Sequence, residues 1–537
     1  MEQGYLSIIL HTHLPFVRHP EQERFLEEHW LFEAITESYI PLLNMFGRLH
    51  HDGVACRLAM SLTPPLLSML RDELLLERYE KYLENRISLA EKEIQRTALW
   101  PELNRLARMY HRIFTQTKED FVHKYHRDLV DAFGHFQRLG LIEILASAAT
   151  HGYLPLMIHP EAIRAQIQLG IDFYQQTFGV APVGFWLPEC GYVPGIDTYL
   201  AAGGIKYFIL DSHGILHSKP RPRYAVYAPV YCPSGVAAFG RDWESSKQVW
   251  SAQEGYPGDW DYREFYRDIG HELDFDYLAP HLVGDIRHQT GIKYHRITQD
   301  NGHKELYDPD RAREKAAVHA GNFMFNRQRQ IEWLAANMED RKPIVVAPYD
   351  TELFGHWWYE GPQWLDFLIR KIHHDQDQVR LITPGDYLKL YPKNQVCIPS
   401  ASSWGYKGYN EVWLEGSNDW IYPHLHIMAE RMTELVHHHW PGDPLTTEAI
   451  KQCARELLLA QSSDWAFIMK TGTMVAYARQ RTREHIANFN RLYGQIQRGE
   501  IEQDFLHQLQ WKNNIFPELD PEVYRSDYQP QVLVQLG

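Results

Sequence analysis

The run Ile344-Val345-Val346-Ala347-Pro348-Tyr349-Asp350-Thr351-Glu352 decides how the chain is read. Its apolar residues form a short strand without polar alternation, the pattern of a strand buried inside a sheet. The strand ends in one carboxylate, and a second follows two residues later. Next comes Phe354-Gly355-His356-Trp357-Trp358-Tyr359-Glu360-Gly361, an aromatic loop bounded by glycine. A carboxylate has little reason to close a core strand unless solvent, a partner or catalysis holds it there.

Outward from this point, β-like runs recur at Tyr5–Leu10, Cys56–Leu62, Gly184–Leu187, Tyr207–Leu210 and Val379–Ile382, with helical patterns such as Pro160–Phe178 and Asp310–Met338 between them. Apolar strands alternating with amphipathic helices predict a parallel α/β sheet, open or closed into a barrel. The motifs that carry chemistry fall at the strand ends, where a barrel places its active site. Residues 66–112 read as long charged helices, an insertion that continues to about residue 140. A Pro- and Ser-rich stretch at 391–403 closes the barrel part, and helical patterns over 422–439, 447–461, 473–497 and 501–511 follow without a strand. The expected division is residues 1–65 and 141–395 for the barrel, 66–140 for the insertion and 396–537 for a C-terminal all-helical domain.

Two further motifs sit at strand ends. His11-Thr12-His13-Leu14-Pro15 follows Tyr5–Leu10, and in an extended segment residues 11 and 13 point the same way. Two converging imidazoles could ligate a metal, or bond to substrate hydroxyls and a carboxylate. Gly184-Phe185-Trp186-Leu187-Pro188-Glu189-Cys190-Gly191-Tyr192 runs an apolar strand into Glu189. Glu189 and Asp350 are then two strand-end carboxylates of one sheet, which is what glycoside cleavage needs: one to protonate the leaving oxygen, one as nucleophile or base. Asp242 and Glu244 are lesser candidates, as plain as any exposed loop charges.

Composition narrows the ligand. Lys and Arg number 54 against 69 Asp and Glu, a net charge of −15, which disfavours nucleic acid. Sixteen Trp, 31 Tyr and 23 Phe make 13% of the chain, many in polar, Gly-rich stretches where rings can stack on the C–H faces of sugars. Five scattered cysteines without a CxxC, an N-terminus with no basic leader and no run of about 20 apolar residues fit a soluble protein of a reducing, cytoplasmic compartment.

The co-occurrence of HTHLP, GFWLPECGY, GYPGDWDYREFYRDIG, YDTELFGHWWYEG, SSWGYKGYNEVW and SSDWAFIMKTG resembles glycoside hydrolase family 57, and within it the α-1,4-glucan branching enzymes. The resemblance covers most of the chain. It implies a distorted (β/α)7 barrel with a helical insertion and a C-terminal helical domain, Glu189 as nucleophile, Asp350 as acid/base, and no metal or other cofactor. It places His11, His13, Trp30, His151, Arg263, Gly291, Trp357, Trp404, Trp413 and Asp464 against an α-1,4-glucan, and implies a catalytic tyrosine on a loop within residues 231–256. The expected reaction is retaining double displacement with transfer to a C6 hydroxyl. The same carboxylates would serve an α-amylase or a 4-α-glucanotransferase. A metal-dependent carbohydrate hydrolase or deacetylase, or a non-catalytic glucan-binding protein, are the readings from other classes.

Overall fold

A computed structural model of the 537-residue chain describes residues 2–251, 254–298 and 304–528. Its strands are β1 (Gly4–Thr12), β2 (Leu58–Leu62), β3 (Ile142–Ser147), β4 (Gly184–Trp186), β5 (Tyr207–Leu210), β6 (Val230–Tyr231), β7 (Ala237–Gly240), β8 (Ile344–Asp350) and β9 (Val379–Leu381). Seven of them run parallel in the order β7-β5-β4-β3-β2-β1-β8. β6 adds an antiparallel edge to β7, and β9 pairs with the first residues of β1.

The curl does not close by a ladder. Among the described residues, two backbone bonds reach β8 across the gap, one from just past β7, Asp242 N to Val346 O at 2.7 Å, and one to the segment ahead of β6, Ile344 N to Tyr227 O at 3.0 Å. This open seam is what distorts the seven-stranded barrel.

Alternation along each strand sorts the side chains. Tyr5, Ile9, Ala59, Leu145, Trp186, Ile209, Phe239, Ile344 and Val346 meet in one inner cluster, while Leu6, Ile8, Leu10, Val345 and Ala347 face the surrounding helices. His11 continues the inner series of β1 and Asp350 that of β8. Helix Pro160–Phe178 lies so close on β3 that a Cβ at Gly170 would sit 2.0 Å from Ser147 O, so only glycine fits there.

Between β2 and β3 run helices Pro64–Met69, Glu73–Arg96, Pro101–Glu119 and Leu129–Arg138. The long pattern over 66–112 is thus broken, by an Asp72 N-cap bonded to Leu75 N and by Pro101 at the start of its helix. After residue 395 the main elements are helices Ile421–His439, Pro444–Ala460, Ser463–Thr471, Val475–Arg498 and Gln503–Lys512. All five cysteines are unpaired and buried. No helix of the described residues is long and apolar enough to cross a membrane.

Candidate active site

Strand register brings the first two motifs together. β1 and β8 pair His11 with Asp350, and β1 and β2 pair His11 with Ser61. His11 Nδ1 lies 2.6 Å from Ser61 Oγ, and its Nε2 lies 3.1 Å from His151 Nε2. His11 also stacks on Trp186 of β4, with ring centres 4.5 Å apart. His13, two residues along the same face, stacks on His151 at 3.9 Å and bonds Asp464 Oδ2 at 2.9 Å and Thr63 Oγ1 at 2.8 Å.

Glu189 stands just past β4 in the left-handed region, at φ 61° and ψ 20°, with Cys190 at φ 51°. Non-glycine residues held there carry strain of order 1 kcal/mol or more, and they concentrate at functional sites. The strained turn is fixed from outside: Trp404 N donates to Glu189 O at 2.9 Å. Each carboxylate oxygen then has its own donor, Trp404 Nε1 on Oε2 at 2.8 Å and Ser463 Oγ on Oε1 at 3.0 Å. Ser463 Oγ also lies 2.9 Å from His151 Nδ1.

With Glu189 ionised, these contacts allow one sense of donation. The Ser463 hydroxyl gives its proton to Glu189, so His151 Nδ1–H donates to Ser463 Oγ. His151 Nε2 accepts from His11 Nε2–H, and His11 Nδ1 accepts from the Ser61 hydroxyl. Burial keeps both His11 and His151 well below the ordinary imidazole value, hence neutral, as the chain requires. His13 differs: burial disfavours its cation, but the Asp464 carboxylate outweighs this and raises it. Asp464 is held low in return, its burial overcome by the His13 charge and bond.

The carboxyl environments diverge as paired acid and nucleophile require. Burial, then the charges of Glu352 and Glu189, lift Asp350 well above the ordinary carboxylate range. Burial also raises Glu189, but the Trp404 and Ser463 hydrogen bonds and the His13 cation oppose it. An indole and a hydroxyl supply the direct bonds, and the His13 imidazolium adds its charge. Glu352, 2.6 Å from the Tyr39 hydroxyl that donates to it, is pushed up by burial to about 7.

Of the other expected glucan contacts, Trp404 lies in the site and Trp357 stands 47% exposed on the loop beyond β8. Trp30 is half-buried and meets Tyr477 edge-on at 5.8 Å. Arg263 does not reach open solvent: its side chain is 1% exposed, paired with Glu37 Oε1 at 3.0 Å, its guanidinium 3.9 Å from the Tyr359 ring centre. Trp413 is buried and stacked on Tyr153 at 4.2 Å. Gly291, at φ 82°, has its N–H bound to Asp268 Oδ2 at 2.9 Å. Arg263, Trp413 and the Gly291 peptide N–H thus each have a protein partner in this structure. Asp242 caps a helix through Ser245 N, and Glu244 pairs with Arg327 at 2.8 Å. Both tyrosines of 231–256 are engaged elsewhere, Tyr231 on Pro392 O and Tyr256 on Asn322 Oδ1; residues 252–253 lie outside the described residues. The sequence reading passed over Ser61, Tyr39, Arg241, whose guanidinium lies 5.7 Å from the Trp404 ring centre and whose charge opposes the rise of Asp350, and Ser463. The last is adjacent to Asp464 in SSDW, and Arg241 precedes the Asp242 that drew notice instead.

His13, His151 and Asp464 offer ligand atoms within 4.8 Å of one another. Imidazole lone pairs lie in the ring plane, and these two rings stack 19° from parallel at 3.9 Å. In-plane lone pairs of stacked rings do not converge on one ion, and His13 Nε2 already bonds Asp464. The cluster fits hydrogen bonding better than metal ligation.

Against known proteins, residues 7–279 match the glycosyl hydrolase family 57 model, and residues 424–524 match the C-terminal model of 1,4-α-glucan branching enzymes. A 1,4-α-glucan branching enzyme of Thermococcus kodakarensis is 35% identical over 99% of this chain and 80% of its own. The α-amylase AmyC of Thermotoga maritima superposes with a TM-score of 0.91 at 43% identity, covering 98% of this chain and all of that one. The family 57 branching enzyme of Pyrococcus horikoshii gives 0.88 at 34%, covering 99% and 98%. With the family model matched over residues 7–279 and a relative 35% identical over 99% of its length, this seven-stranded, distorted barrel belongs to glycosyl hydrolase family 57.

Proposed function

We propose that the protein is a cytoplasmic 1,4-α-glucan branching enzyme, with residues 1–65 and 141–395 as its catalytic barrel, 66–140 as a helical insertion and 396–537 as a helical domain that completes the site. One observation carries this: Ser463 and Asp464, within the segment that matches the branching-enzyme C-terminal model, bond Glu189 and His13 at the strand ends. The unpaired, buried cysteines support a reducing compartment.

Ionised Glu189 attacks C1 of an α-1,4-linked glucose. The C1–O4 bond breaks, and the Asp350 proton goes to the departing O4. A glycosyl ester on Glu189 remains. Asp350, now a base, takes the proton of a C6 hydroxyl on a second glucan; that oxygen attacks C1 and the ester bond to Glu189 breaks, leaving an α-1,6 branch and both carboxyl groups restored. His11, His13, His151 and Trp30 line the donor side, Trp404, Trp413, Asp464, Arg263 and Gly291 meet the glucan farther along, and Trp357 stands on the Asp350 side.

A second reading has a specific support. The similarity to the Thermotoga maritima α-amylase is as complete as that to the branching enzymes, and water in place of the C6 hydroxyl would turn the same steps into hydrolysis. Incubation with amylose, read by proton NMR for α-1,6 linkages beside a count of reducing ends, separates the two. New α-1,6 signal without matching reducing ends, lost in Glu189→Gln and Asp350→Asn, is the expected result. Reducing ends without branches would replace the assignment with an amylase.

A further inference from the structure

The loop beyond β8 treats its tryptophans unequally. Trp358 is buried, whereas Trp357, its neighbour, is 47% exposed. Trp357 faces a second exposed indole, Trp250, 44% exposed, with ring centres 6.0 Å apart and planes at 72°. Leaving two indoles in water forfeits the burial that stabilises Trp358 and Trp364, and adjoining exposed aromatics mark a binding face.

The placement of the pair follows from the open seam of the barrel. Trp250 ends the helix Trp243–Trp250, which comes off β7. That helix begins against β8, through Asp242 N on Val346 O and the Tyr349 hydroxyl on Ser245 O at 3.0 Å. Trp357 N is bound to Glu352 O at 3.2 Å, two residues beyond Asp350. The two indoles therefore come one from each side of the seam, at its Asp350 end. The chain also holds this loop in place: a Cβ at Gly355, φ 115°, would lie 1.8 Å from Glu37 O, and His356 Nδ1 bonds Glu37 Oε2 at 2.6 Å.

The partners of Glu189 come from elsewhere, Trp404 and Ser463 beyond residue 395 and His151 after β3. The site thus has a Glu189 wall and an Asp350 wall. In the second displacement the acceptor hydroxyl must meet Asp350, because Asp350 removes its proton. We infer that Trp250 and Trp357 form an edge-to-face stacking corner that receives the acceptor glucan across the β7–β8 seam, and that Trp250 is a specificity-determining residue for transfer over hydrolysis. This rests on the transferase reading above. Sugar rings offer flat C–H faces to an indole, and an acceptor seated there also excludes the water that would compete at the glycosyl ester.

The test partitions one reaction. Wild type, Trp250→Ala, Trp250→Phe and Trp357→Ala are incubated with amylose plus a reducing-end-labelled maltooligosaccharide as acceptor. Label incorporated into longer chains counts transfer, and reducing ends formed count hydrolysis. The expected result is a transfer-to-hydrolysis ratio lowered about tenfold in each Ala variant, the size of one stacking contact, with substantial recovery in Trp250→Phe. Because Trp250 is a surface residue, a fold defect would lower both products together and the Phe variant would show it. An unchanged ratio in the Ala variants, or a Phe variant no better than Ala, overturns the corner. Wild-type transfer that makes only α-1,4 bonds overturns branching and leaves the corner to be decided by the same ratio. Wild type without any transfer overturns both.

Discussion

The Ser463 hydroxyl donates to Glu189 Oε1 at 3.0 Å, so a residue of the C-terminal helices holds a carboxylate at the end of a barrel strand. It is one of two donors that oppose the rise in the Glu189 pKa caused by burial. In Ser463→Ala the ionised form loses a partner worth about 1.5–3 kcal/mol, which predicts a fall in kcat/KM of roughly 10- to 100-fold. Removing a donor to the anion raises its pKa, so the ascending limb of the kcat/KM–pH profile moves to higher pH. A fall in rate with the limb in its original place would refute the role.

Glu352 makes the opposite prediction for the other limb. Its charge is the first cause after burial that lifts Asp350, and its own pKa lies at about 7. Glu352→Gln retains an acceptor for the Tyr39 hydroxyl but removes the charge. Asp350 then loses its proton more readily, and the descending limb should move to lower pH, because a neighbouring like charge has been removed. The same profile measured on both variants checks the two assignments; a descending limb that stays or rises would assign the acid elsewhere.

How much of this was legible depends on the length and contrast of each signal. Strands read as apolar runs, such as Tyr5–Leu10 and the run from Ile344 to Asp350, are β1 and β8, and Tyr207–Leu210 is β5 to the residue. Strands β3, IEILAS, and β7, AAFG, escape the pattern: the first carries a glutamate, and the second sets one phenylalanine among two alanines and a glycine, without β-branching. Motifs in which unlike residues adjoin, a carboxylate ending an apolar strand or two histidines at period two, did place Glu189, Asp350, His11 and His13 at strand ends. What the sequence concealed is burial. Arg263 and Trp413 carry polar or aromatic side chains suited to a sugar, and nothing local distinguishes them from Trp357; only the packing of Tyr359 on one and Tyr153 on the other does.

Histidine burial predicts acid lability of the fold. His11, His29 and His151 are kept well below the ordinary value of 6.5 by burial, and His485 is lowered by burial and by Arg481 despite its 2.7 Å bond to Glu456. Burial likewise brings His19, His281 and His288 down to about 4, whereas His13, Asp350, Glu352 and Glu33 are raised, hold protons in the native state and offset part of this. The unfolded chain therefore binds more protons than the native one once pH falls below about 6.5, and stability declines by about 1.4 kcal/mol per pH unit for each net proton. Urea midpoints at pH 7.5, 6.5 and 5.5 measure this. A midpoint that holds or rises between 6.5 and 5.5 contradicts neutral burial of these imidazoles.

Arg263 separates a packing role from a glucan contact. Its guanidinium pairs with Glu37, whose carboxyl burial would raise but which the Arg263 and His356 charges bring down to about 2. Removing the arginine leaves a buried carboxylate without its main partner, and breaking such a pair costs about 3–5 kcal/mol. Arg263→Ala should therefore lose stability by that order in urea unfolding. Arg263→Lys keeps the charge but not the planar face set against Tyr359, and should fall between. The helix that bears Glu37 adjoins His356 and the Gly355 turn, so Arg263 acts on catalysis by holding the loop that carries Trp357. The folded Lys variant should then show a lowered kcat with little change in KM for amylose. If stability is unaffected and KM alone rises, Arg263 meets the glucan directly and the buried ion pair opens in solution.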